Sequence, residues 1–476
     1  MRRDFQFHIL LALAAIPAGV ALMAAPDYIE ILREEPSPFF WGGLISTVGL
    51  IGTAISIARG EATEPRYGHK RRMIALAGMI IFGLGFVGSA ALYFWPMRPT
   101  DDAPYLARLA ALGWTIKPSQ RGIQFEVSSR PLPPMKESAD LFRQLQQPFN
   151  LLFQSVTGLE GLHYLSDIEG CTRIEINAGE FTDISELRGF SHLPSLGISQ
   201  VPLNGVGLVD PSALSSLTNL RELNLNNTKV RSLTFLADLT KLKSLNIGQT
   251  LVADLSPISA LTSLESLDVR GTPAEYLRPI GQDQRLTELS VGGEQIPSLV
   301  NLTHINSLKK LTIIEQRSFD LSAVGKLVNL ESVFIWGPSQ LDVSPLHNLT
   351  KLRELSIVGF GLATGVPTAV TGIEAIGDLM ELRLLVLGQV QITNIGFVSK
   401  LSNLNQLNLS HVPIQSIEPV RALKSLEKIN LMGIPVVDIS VVLDLPALSE
   451  LTIMRTPARE DVLTAIERRG VKVNRF

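Results

Sequence analysis

From residue 217 the chain repeats itself every 22 residues. Leu217-Thr-Asn-Leu-Arg-Glu-Leu-Asn-Leu-Asn-Asn-Thr returns as Leu239-Thr-Lys-Leu-Lys-Ser-Leu-Asn-Ile-Gly-Gln-Thr and again as Leu261-Thr-Ser-Leu-Glu-Ser-Leu-Asp-Val-Arg-Gly-Thr. A unit this short cannot close a core by itself and must stack on its neighbours, so a fixed period of this length specifies a solenoid. The inward strand residue can be followed through thirteen repeats from Ile176 to Ile453, with steps of 22 residues except for 27 between Ile198 and Leu225 and 30 between Ile357 and Leu387. Such arrays present surfaces for binding, and recognition is the expectation that the rest of the sequence has to meet or refuse.

The core phrase is L-x-x-L-x-L, as in Leu220-Arg-Glu-Leu-Asn-Leu and Leu404-Asn-Gln-Leu-Asn-Leu, and the outer turns read Asp254-Leu-Ser-Pro-Ile, Asp342-Val-Ser-Pro-Leu and, loosened, Ile417-Glu-Pro-Val. In both features the chain resembles the leucine-rich repeat family, and within it the 22-residue bacterial type of the internalins. The resemblance implies an α/β-type repeat: a parallel β-sheet on the concave face, with short turns or 3₁₀ pieces on the convex face. It also implies an Asn after each strand to bond neighbouring backbones. That position here holds Thr228, Thr250, Thr272 and Thr456, or Val390, Val412 and Ile434. Threonine offers fewer bonds and valine none, so a weakened ladder is expected, with leucine burial carrying the core.

Residues 1–98 differ in kind. Runs at Phe5–Ala25, Phe39–Ala58 and Met73–Trp95 carry no Asp, Glu, Lys or Arg, and each has about the 20 residues needed to span a bilayer. Between the first two stand Asp27, Glu30, Glu34 and Glu35 against Arg33, whereas the second connection carries Arg59, Arg66, Lys70, Arg71 and Arg72. Lys and Arg in short loops mark the cytoplasmic side. The expectation is an all-α region of three transmembrane helices with a cytoplasmic N-terminus, placing the array in the periplasm or otherwise outside the cytoplasm. Phe39, Phe40, Trp41, Tyr93, Phe94 and Trp95 fit an aromatic belt at the outer interface. The alternative for the first run is a cleaved signal peptide closing on Met23-Ala24-Ala25, and it leaves the array on the same side.

A polar linker with Pro99 and Pro104 follows. Helical spacing from Tyr105 to Leu112, the stop at Gly113 and the strand-like Trp114-Thr-Ile are echoed at the far end by Val462–Arg469, Gly470 and Val471-Lys-Val. Similar pieces at both ends are expected to cap the solenoid. Alternation of Ile123, Phe125 and Val127 predicts a strand, and a helix is predicted over 136–147. The divisions are 1–98 transmembrane region, 99–150 linker and first cap, 151–456 array and 457–476 second cap.

Side chains alternate across a strand, so the neighbours of the inward residues face the concavity. Early repeats offer polar Asn224, Asn226, Asp268 and Arg270, while later ones offer Phe334, Trp336, Val358 and Val386, with Phe360 just beyond its strand. Aromatic area where water is expected marks an interaction surface. These nine are the candidate partner-binding residues. The competing expectation is that the insertion at 359–372 folds over the apolar group.

Chemistry is not indicated. The seven histidines show no metal-ligand spacing, and no P-loop or G-x-S-x-G stretch occurs. Cys171, the only cysteine, falls at a leucine position and is expected in the core. No cofactor is implied. A net charge of −3 does not point to a nucleic-acid partner, whose phosphates would call for a basic face. The sequence therefore predicts a bacterial inner-membrane protein that binds a protein or peptide on an extracytoplasmic solenoid. The alternative is a sensor or accessory subunit of a signalling or transport complex, meeting a membrane protein partner through residues 1–98.

Overall fold

The computed structural model describes residues 102–475 apart from 120–121, 129–130, 178–180, 200–207, 275–276, 281–284, 294–298, 315–318 and 360–366. The three apolar runs lie outside the described residues, and among those described no helix is long and apolar enough to cross a membrane.

After helix α1 (Ala103–Ala111) come the hairpin strands β1 (Thr115–Ser119) and β2 (Gly122–Val127), helix α2 (Met135–Phe142) and β3 (Phe149–Gln154). The array follows as β4 (Cys171–Asn177), β5 (Ser195–Ser199), β6 (Glu222–Asn224), β7 (Ser244–Asn246), β8 (Ser266–Asp268), β9 (Glu288–Gly292), β10 (Lys310–Ile314) and β11 (Ser332–Trp336). It continues through β12 (Gln340–Asp342), β13 (Glu354–Val358), β14 (Thr368–Thr371), β15 (Leu384–Gly388), β16 (Val390–Gln391), β17 (Gln406–Asn408), β18 (Lys428–Asn430) and β19 (Glu450–Thr452). Helix α3 (Glu460–Arg468) and β20 (Lys472–Asn474) close the chain.

Apart from the antiparallel β1–β2 pair, the main strands form one parallel ribbon in chain order. Register holds at one repeat per step: Leu223 faces Leu245, and Leu245 faces Leu267. The leucine spacing explains this. Leu220, Leu223 and Leu225 are all buried with Asn224 between them facing outward, so a slip of one residue would expose the apolar set. All thirteen inward residues counted from the sequence are buried, from Ile176 to Ile453. The ribbon also begins earlier, because β3 sets Phe153 opposite Ile176.

The returns are 3₁₀ turns such as Ser256–Ala260, Ser344–Asn348 and Glu418–Ala422, as the outer phrases predict. The Asp before each serine accepts that serine's backbone N–H, at 2.8 Å for Asp254 and 2.9 Å for Asp342. This Asx geometry starts the turn without a helix cap.

The polar ladder is relocated rather than lost. Thr228, Thr250 and Thr272 are buried and donate to the carbonyl three residues back, at 2.8, 2.7 and 2.9 Å, which satisfies their own repeat. Rungs between repeats come from the turn before the strand, where Asn219, Asn329 and Asn403 donate to Ser191, Asn306 and Met380 carbonyls, each at 2.9 Å. At Val390 backbone pairing replaces side-chain bonding: the 30-residue repeat supplies β14 to a small parallel sheet with β12 and β16. Of the insertion, Gly359 and residues 367–372 are described; Thr368–Thr371 enter this sheet, with Thr368 donating to the Pro338 carbonyl.

Both ends carry the helix, left-handed glycine and strand order. Gly113 has φ +106° and Gly470 φ +83°, a backbone that L side chains resist. In the first cap Trp114 stands edge-on to Phe142 at 5.2 Å and donates its indole N–H to Ser138 at 2.9 Å. The helix predicted over 136–147 ends at Phe142. Its last amides tighten to i−3 carbonyls, Gln144 to Leu141 and Leu145 to Phe142, and the chain must be extended before Pro148.

Candidate binding surface on the concave face

Register sorts the outward side chains into rows that run along the ribbon, one residue per strand. One row reads Asn224, Asn246, Asp268, Ser290, Thr312, Phe334, Ser356 and Val386. The next, two residues further along each strand, includes Gly292, Ile314, Trp336, Val358 and Gly388.

The polar residues of the early repeats are largely occupied by their own strands. Asn224 accepts the backbone N–H of Asn226 at 2.9 Å, and Asp268 accepts that of Arg270 at 3.0 Å. Arg270 also forks onto Asp268, Nε to Oδ1 at 2.9 Å and Nη2 to Oδ2 at 2.5 Å, and this hydrogen bonding raises its guanidinium above the ordinary value. The Asn226 side chain is half-buried in the adjoining row. A partner would meet a surface here that is already neutralised.

The apolar residues are gathered on three adjacent strands. Phe334 and Val386 flank Ser356 in one row, and Trp336 lies beside Val358 in the next. Phe334 is 36% exposed, high for a phenylalanine, while Trp336, Val358 and Val386 are half-buried. Phe360 lies outside the described residues. Two strands, β9 and β10, separate this group from Asp268 at the end of β8 and Arg270 just beyond it.

Register adds residues that were not singled out from the sequence. Ile314 stands next to Trp336, and Leu384 lies at the start of the Val386 strand. Both were legible: one repeat before Trp336 is Ile314, and two residues before Val386 is Leu384. The margin at the strands' N-terminal ends is charged. Glu331 pairs with Lys309 at 3.0 Å and Arg353 at 3.5 Å, and hydrogen bonding from Lys309 holds its carboxyl below the ordinary value. Exposed pairs like these set charge pattern more than stability.

A depression of about 850 Å³ sits elsewhere, on the first cap, between Pro131–Pro134 and the turn carrying Val156 and Tyr164. Its lining mixes prolines, Met135 and Val156 with Lys136, Glu137, Thr157 and Glu160, and the exposed aromatic group on the ribbon is taken as the candidate site. Cys171 is buried against the core, and desolvation pushes its thiol up to about 12. That removes the thiolate on which reactivity depends. Among the described residues no group of three or more His, Cys, Asp or Glu could hold a metal ion.

Ribbon, 3₁₀ returns and leucine phrase together define a leucine-rich repeat solenoid. An internalin of Listeria monocytogenes is similar to it in structure, with 29% identity and a TM-score of 0.53 over 66% of this chain and 88% of that one. A leucine-rich repeat protein of Leptospira interrogans aligns over 73% of this chain and 100% of its own, with 16% identity and a TM-score of 0.47. No protein-family model matches the sequence, and no curated protein does.

Proposed function

We propose that the solenoid binds a protein or peptide on its concave face, with Phe334, Trp336, Val358 and Val386 as the centre of contact. The observation that carries this reading is the exposure of Phe334 within an apolar group on three neighbouring strands. Wet apolar area costs about 25 cal/mol per Å², which a partner would recover. The expected partner is one found by proximity labelling from a tag after Phe476. Phe334→Ala should then weaken its Kd by about 30-fold, some 2 kcal/mol, as for a central anchor residue. The urea midpoint should hardly move, because the ring is not in the core. Unchanged affinity in a folded Phe334→Ala protein would refute the reading.

Residues 1–98 are proposed to hold the array at the outer side of a bacterial inner membrane with the N-terminus in the cytoplasm, on the support of the Lys and Arg bias of the 59–72 connection. An alkaline phosphatase fused after Phe476 should be active, since that enzyme needs an oxidising compartment to form its disulfides; an inactive fusion present at full length in the membrane fraction would contradict this. A sensor or accessory subunit is the second reading, favoured by three apolar runs where one would anchor. It predicts that 1–98 alone co-purifies with a membrane partner in mild detergent.

A further inference from the structure

Beyond the apolar group itself, the concave face of the C-terminal half is divided lengthwise. From β9 to β20 the row of Phe334 and Val386 continues through Asn408, Asn430, Thr452 and Asn474 without a charged residue. The row of Trp336 likewise runs from Gly292 and Ile314 to Ser410, Met432 and Met454, its pairing carried on by backbone bonds from Gln389, His411 and Gly433 to the carbonyls of those last three. It too holds no Asp, Glu, Lys or Arg. At the opposite margin the strand starts are crowded with charge of both signs, including the Lys309–Glu331–Arg353 chain and Glu450 between Lys428 and Lys472. Lys310 and Arg383, both exposed, add two cations on this margin.

The uncharged Phe334 row spans nine strands, some 38 Å at about 4.8 Å per strand, and Ser332, Leu384 and Gln406 interrupt the charge at the strand starts beside it. Most of the Phe334 row outside Phe334 and Val386 is polar but uncharged, so a partner that complements the face needs its own boundary between uncharged and charged side chains parallel to its long axis. An amphipathic helix has that, with one stripe apolar and its flank polar. An extended chain lying across the strands does not, since its side chains point alternately toward and away from the sheet. Width agrees: the two uncharged rows with half the spacing on either side cover about 13 Å, near the 10 to 12 Å diameter of a helix.

We infer that the occupant of this face is an amphipathic α-helix of the partner, laid along the ribbon with its uncharged stripe, apolar where it meets Phe334, Trp336, Val358 and Val386, on the two uncharged rows and its charged flank on the opposite margin. The inference rests on the proposed concave binding. Its test separates the two. Benzoyl-phenylalanine replaces Phe334, Ser356, Val386 or Asn408 in the full chain, one position per variant on successive strands, and Val437 on an exposed turn serves as control. After irradiation in the source membranes, the attachment point on the captured protein is mapped by mass spectrometry. A helix rising 1.5 Å per residue should shift the attachment by about three residues per strand within one segment. A shift of about one to two residues, as for an extended chain at roughly 3.3 Å per residue, or attachment points in unconnected segments, would overturn the helix while leaving concave binding intact. Adducts at Val437 alone, or none, would overturn both.

Discussion

Asn227, Gln249, Gln389, His411 and Arg455 hold φ between 56° and 60°, and Gly271 and Gly433 occupy the same place in their repeats at 68° and 69°. The chain makes a left-handed step at the end of strand after strand, and only some repeats supply the residue that tolerates it. An L side chain there costs about 1 to 2 kcal/mol, against about 0.5 to 1 kcal/mol for the freedom a glycine loses on folding. Gln249→Gly is therefore expected to stabilise the protein by up to about 1 kcal/mol, read as a higher urea midpoint at unchanged slope. Gly292 is the opposite case. A Cβ there would lie 2.0 Å from the Ile314 carbonyl oxygen, which the parallel ladder fixes. Gly292→Ala should cost about 2 to 3 kcal/mol, the scale of an overpacked site. A neutral result would mean that β9 and β10 can separate. At Leu267, 1% exposed, truncation to Ala should remove about 2 to 5 kcal/mol. A midpoint that barely falls would contradict its inward placement.

Among elements, the 3₁₀ returns share a feature with a consequence for pH. Asp183, Asp210, Asp254 and Asp438 are held below the ordinary carboxyl value of 3.8 chiefly by the backbone N–H of the serine two residues on; for Asp320 and Asp342 the serine hydroxyl leads. A carboxyl whose folded value is depressed binds its proton more readily when unfolded, so its contribution is present above 3.8 and is lost as pH falls through the lower folded value. Urea midpoints should accordingly decline below that point. Asp254→Asn with Asp342→Asn should flatten part of the decline, since an amide keeps the acceptor and cannot titrate; Asn394 already does this, accepting the Gly396 N–H at 2.8 Å. An acid limb unchanged in the double variant would assign it to other carboxyls. The turns also mark how far elements could be read from sequence. Asp-x-Ser at the repeat period names them directly, and buried leucines fix the strands. The small three-stranded sheet of β12, β14 and β16 was hidden, because backbone pairing across an insertion leaves no periodic side-chain trace. The left-handed row was hidden for the related reason that Asn, Gln, His, Arg and Gly fill one backbone need.

At the scale of the whole array, outward-facing candidate residues and buried structural residues alternate along the same strands, and register alone tells them apart. The Phe334 group was legible because aromatics interrupt a polar row. The early polar set was only half legible, since the fork of Arg270 on Asp268 depends on rotamers that no spacing reveals. Stacking has a further consequence, because each repeat touches only its neighbours and damage at one end should stay near that end. The second cap offers the test. Arg469, just past α3, donates to the carbonyls of Leu443 and, at 2.9 Å, Leu445, tying the cap to the last 3₁₀ turn, Ser440–Asp444. Those carbonyls belong to a turn with no following repeat to satisfy them. Hydrogen bonds from a charged donor contribute roughly 1.5 to 3 kcal/mol each, and the exposure of this guanidinium puts the pair together at about 1 to 2 kcal/mol. Arg469→Ala is expected to raise amide exchange by about ten-fold in β18, β19 and α3, while β4 and β5 keep wild-type protection. A rise spread evenly to β4 would mean that the array unfolds as one unit and that nearest-neighbour stacking does not govern its stability.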